Sequence, residues 1–148
     1  MTARRVLPVL ALLSPLLLAA DNPAPKGDLA KFQGKWTMVV APEHDFTVAV
    51  QIKGKAVTAS GRLPNGDEFE IKGEIKLDDA AKPFKTVDWV NFTGPNGDEL
   101  PANKGIYELV DADTIKIHNG GPGKERPGAF KDGDVEDSKV TFLKREKN

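Results

Sequence analysis

A chain of 148 residues holds one domain, and a core of that size needs no metal or disulfide for stability. Its formal net charge is −1, with 21 Lys and Arg interspersed among 22 Asp and Glu. That balance argues against nucleic acid as the main partner, because phosphate binding needs clustered cations. The lack of cysteine excludes a disulfide framework, a thiol nucleophile, a cysteine zinc site and a lipid anchor on cysteine.

Residues 1–20 read as a signal peptide: Arg4 and Arg5 form a basic start, Val6–Leu18 is apolar, and Ala19 and Ala20 are small. The apolar stretch is short for a membrane span and is interrupted by Pro8 and Pro15. An uncleaved N-terminal anchor is the alternative. Cleavage after Ala20 would leave an exported protein, periplasmic or extracellular, with no membrane span in its mature form. Residues 21–27 (DNPAPKG) form a Pro-containing spacer, and residues 28–148 form the domain.

Asp28–Gly34 is predicted to make one helical turn. Asp28 is expected to cap its first N–H groups, and Gly34 to take the positive φ of its exit. Leu29 and Phe32 share a face, which must pack on something larger because a single turn is unstable alone.

The rest alternates with a period of two. The clearest run is Glu68–Leu77, where Phe69, Ile71, Ile75 and Leu77 alternate with charged residues. Gly73 stands in its apolar row and marks a bend or bulge. About eight strands are expected, at residues 35–41, 46–53, 55–60, 68–77, 86–92, 104–110, 114–119 and 139–145. Between them lie Lys53-Gly-Lys55, Asp111-Ala-Asp113 and two copies of Pro-Asn-Gly-Asp-Glu beginning at Pro64 and Pro95. Proline presets φ for such turns and Asn-Gly supplies the positive φ. Strands with one apolar face must roll up, so the fold class is all-β. The predicted architecture is an eight-stranded antiparallel up-and-down barrel with a short N-terminal helix.

Gly34-Lys-Trp36, following the helical turn and opening the first strand, resembles the start of lipocalin-like chains. Further strings include Lys82-Pro-x-Lys-x-Val-Asp88, Gly105-Ile-Tyr-Glu-Leu109, Pro122-Gly-Lys-Glu-Arg-Pro127 and Leu143-Lys-Arg-Glu146. With these the chain is similar to an uncharacterised lipocalin-like family expanded in Planctomycetes. The resemblance implies a barrel and export, and no activity. It also implies a structural role for Gly34, Trp36 and Arg145: Trp36 closes the barrel floor beneath a basic residue of the last strand, Arg145 first and Lys144 second. A ligand-facing Trp36 is the competing reading. In a closed meander the start of the first strand and the finish of the eighth lie at one end, where guanidinium and indole can stack.

No catalytic constellation stands out, so an enzyme is not expected. His44 and His118 are the only histidines, and nothing in their spacing selects a third metal ligand. Neither is placed by sequence to activate Ser60 or Ser138. The acidic run Asp132–Asp137 has oxygen ligands at alternating positions but reads as a solvated loop, so no metal and no cofactor is predicted. The leading expectation is a binding module for a small apolar or amphipathic ligand. The candidate ligand-binding residues are Met38, Phe69, Ile71 and Tyr107 of the inward row, and Arg126, which could meet an anion at the barrel mouth. The favoured reading of Pro122–Pro127 is structural: its two prolines hold a long crossover before the last strand, with Phe130 tucked into the core. A small lipophilic ligand or an envelope protein is the expected partner. The alternative function is a structural or interaction module whose barrel is packed solid. A cavity above about 300 Å³ would discriminate between the two.

Overall fold

A computed structural model describes residues 23–41 and 46–147. The expected signal peptide and His44 lie outside the described residues. After a short helix, α1 (Asp28–Phe32), come β1 (Gly34–Ala41), β2 (Phe46–Lys53), β3 (Ala56–Arg62) and β4 (Glu68–Asp78). Then follow β5 (Lys85–Thr93), β6 (Asn103–Asp111), β7 (Thr114–Pro122) and β8 (Val140–Arg145). Each strand pairs antiparallel with the next, and β1 also pairs with β8, so the barrel closes with no free edge. Closure follows from the alternation. In β2, Val48, Val50 and Ile52 are buried while Thr47, Ala49, Gln51 and Lys53 are exposed, a pattern that leaves one apolar face to be covered.

The bend expected at Gly73 is a register shift between β4 and β5. Lys72 faces Thr93 and Glu74 faces Val90, so β5 carries the extra residue, and Asn91 there has φ 55°. The Phe92 ring lies directly over Gly73, where an added Cβ would sit 2.5 Å from its Cγ. Gly73→Ala should therefore push Phe92 aside and cost about 2 kcal/mol in urea unfolding, since overpacking a core costs of that order.

The two ends of the barrel differ. At one, α1 lies across the opening beside the β2–β3, β4–β5 and β6–β7 turns. Gln33 holds the first of these: its Nε2 donates to the Gly54 carbonyl at 2.9 Å and its Oε1 accepts the Gly54 N–H. The other end carries the two Pro-Asn-Gly-Asp-Glu turns, which fold alike. Leu63 N–H bonds the Asp67 carbonyl and Gly94 N–H bonds the Asp98 carbonyl, both at 2.7 Å. The long β7–β8 crossover also leaves from this end and folds back along the outer wall.

Candidate functional site

The barrel is filled at one end and hollow at the other. Trp36, on the floor, is 1% exposed, and its Nε1–H donates to the Phe32 carbonyl at 2.8 Å. Trp36 and Arg145 are register partners on β1 and β8, with the Arg145 guanidinium 4.1 Å from the indole centroid. Arg145 Nη1 donates to the Gln33 carbonyl at 2.7 Å, and Nη2 to the carbonyls of Lys31 and Ala112. One cation thus ties the end of α1 and the β6–β7 turn to the floor. Gly34, φ 115°, passes beneath that guanidinium: a Cβ there would lie 2.9 Å from Nη1.

The expected cap of α1 is corrected here. Gly27 occupies the N-cap position without a side-chain bond, and Asp28 turns inward instead. Its Oδ2 accepts from the Tyr107 hydroxyl and from Lys85 Nζ, both at 2.8 Å. Burial raises the Asp28 carboxyl, but the hydrogen bonds from Lys85 and Tyr107, with the charges of Lys85 and Lys31, outweigh it and hold the group below its ordinary value. Burial, and then the facing carboxylate, drives the Tyr107 hydroxyl far above the usual tyrosine range. Tyr107 also meets Phe32 edge-on at 5.1 Å. As a ligand-contact candidate Tyr107 is therefore misplaced: its side chain belongs to the packed floor.

Above this floor opens a cavity of about 440 Å³. Met38 of β1 and Phe46, Val48 and Val50 of β2 line one side. Val57, Ala59, Phe69, Ile71 and Trp89, from β3 to β5, line the other. Met38, Phe69 and Ile71 thus stand together on the cavity wall. The rim holds Leu63 and Pro95 from the paired turns with Pro101 and Pro122, whose rings fix φ and keep the mouth preformed. No charged side chain lines it among the described residues. Its polar groups are the amides of Asn103 and Asn119, which sequence reasoning missed. The signal was parity: Asn119 continues the inward row Ile115, Ile117 of β7, and Asn103 shares parity with Tyr107 on β6.

Arg126 is absent from the mouth. Its Nη1 donates to Asp88 Oδ1 and to the Gly105 carbonyl, each at 2.7 Å, on the outer wall. An anion would have to displace Asp88, so Arg126 clamps the crossover rather than facing the cavity. Phe130, expected in the core, lies outside as well, edge-on to Phe84 at 5.3 Å and 4.6 Å beneath Lys116 Nζ.

The crossover also covers His118, which is fully buried. Here the sequence reading of the serines needs correction, since His118 Nε2 lies 2.9 Å from Ser138 Oγ. Nδ1 lies 2.7 Å from the Ala129 carbonyl, which only accepts, so Nδ1 carries the proton and Ser138 donates to Nε2. Ser138 in turn accepts the Val135 N–H. Sealed from solvent, the pair latches the crossover to β7. Two carboxylates of the acidic run are used similarly: Asp132 accepts from Val140 N–H and Asp134 from Gly128 N–H. Among the described residues no three metal-ligating side chains gather, and no helix is long and apolar enough to cross a membrane.

Comparison with known proteins finds no matching family model, curated protein or solved structure.

Proposed function

We propose that this chain is an exported, lipocalin-like binding module that holds one small apolar molecule in the open half of its barrel. The observation carrying this reading is the cavity of about 440 Å³, apolar along its walls and open to solvent at one end. That volume falls in the range of small-molecule sites, and water held among such side chains is released at a gain when an apolar ligand replaces it. The proline-braced rim supports the same reading, because a preformed site loses less freedom on binding. Export rests on the leader at residues 1–20. The reading as a solid structural module fits the floor alone, where Trp36, Phe32 and Tyr107 fill the section; the upper half has room left over.

The test is titration with a neutral fluorescent lipophile, N-phenylnaphthylamine. The parent should bind one equivalent with roughly micromolar affinity. Ala59→Trp places an indole inside the cavity and should lower that affinity by about a hundredfold or more while the protein stays folded. Equal binding by parent and variant would contradict the proposal.

A further inference from the structure

The cavity has two polar features, and their orientation is forced. Asn119 Oδ1 accepts the Trp89 indole N–H at 3.0 Å, and Asn103 Oδ1 accepts the Gly121 backbone N–H at 3.0 Å. Both partners are donors only, so neither amide can be flipped without losing its bond. Each side chain is therefore left with its Nδ2 donors, and among the described residues no acceptor takes them. Both residues line the cavity, and their Nδ2 groups are reached by solvent, since no buried side-chain nitrogen or oxygen is left without a partner. The two residues occupy neighbouring inward positions on paired strands, as Asn119 faces Gly105 across β6 and β7 while Asn103 faces Pro122. Gly105 makes room for this: an added Cβ would collide with Asn119 Oδ1. The wall thus offers uncharged amide donors and no cation.

We propose that the cavity selects uncharged lipophiles bearing a carbonyl acceptor, a ketone or ester, over carboxylates and over plain hydrocarbons of the same length. The inference rests on the cavity reading above. An amide donor satisfies a carbonyl lone pair at little desolvation cost. A carboxylate would bring a full charge into apolar walls with no cation to offset it, and charge burial without a partner is strongly unfavourable. A hydrocarbon would fill the space but leave the amide donors cut off from water.

Competition against bound N-phenylnaphthylamine tests this with three ligands: methyl decanoate, decanoate at a pH where it is ionised, and undecane. The ester should displace the dye at about tenfold lower concentration than either of the others, the worth of one neutral hydrogen bond. Asn119→Leu and Asn103→Leu remove the amide donors and bring no charge into the wall. With each ligand's competition referred to the dye's own affinity for the same variant, the pair of variants should erase the ester's advantage over undecane. Decanoate competing as well as the ester would overturn the proposal, as would an advantage unchanged in both variants. A parent protein that does not bind the dye would instead overturn the cavity reading, and this selectivity with it.

Discussion

Trp36→Ala is expected to cost about 3–5 kcal/mol of folding stability, the usual loss for deleting a buried large aromatic. Three things go at once. The floor loses a side chain only 1% exposed, α1 loses the indole bond to its Phe32 carbonyl, and Arg145 loses the face on which it lies. Arg145→Ala should cost less, about 1–2 kcal/mol. Its stacking is worth about 1 kcal/mol and its hydrogen bonds to carbonyls at partly exposed positions are of similar modest value. Trp36→Phe keeps most of the packing and loses the indole N–H, so it should fall between parent and alanine. Urea unfolding of the three variants checks the order. A Trp36→Ala protein as stable as the parent would mean that this end is not the closed floor of the barrel.

Asp28→Ala should cost about 2–3 kcal/mol. Removing one member of a buried charged pair leaves the other unpaired, a loss of about 3–5 kcal/mol when both are sealed. Lys85 is 41% exposed and recovers part of its solvation, which reduces the figure. The Tyr107 hydroxyl, at 1% residue exposure, has no such recourse. The pH dependence has a definite sign. The folded Asp28 carboxyl titrates below its unfolded value of about 4. Its stabilising contribution is thus present above that pH and lost as pH falls through the lower folded value. Asp28→Asn should accordingly unfold with less acid sensitivity below about pH 4 than the parent. An unchanged acid limb in the variant would show that Asp28 does not contribute to it.

Much of the barrel was legible because alternation and turn chemistry are local. The eight predicted runs match the eight strands to within a few residues at each end, and Gly73 marked the β4–β5 irregularity. β7 runs on to Pro122, three residues past the predicted run 114–119, because its end pairs with Asn103 at the mouth. Of the site, Met38, Phe69 and Ile71 were legible as inward residues. Parity could not say how deep each inward residue sits, and so Tyr107 was grouped with them although it lies on the floor. Arg126 and Phe130 belong to a crossover whose path along the outer wall has no local code. The same holds for Ser138 and His118, which are 20 residues apart and meet only because the crossover folds back on β7. Asp28 looked like a helix cap because that is the commonest use of such a residue, and its inward turn depends on Tyr107 and Lys85, more than 50 residues away.

The central claim is that the open half of the barrel takes up one small apolar molecule, and the most direct measurement locates it. Methyl and amide resonances of the protein should be followed by NMR during titration with N-phenylnaphthylamine. The account predicts saturable shifts at Met38, Val48, Val50, Val57 and Ile71 around the cavity, with Phe32 and Ile115 on the floor little changed. Shifts confined to the outer wall, or spread without saturation over the whole surface, would contradict it.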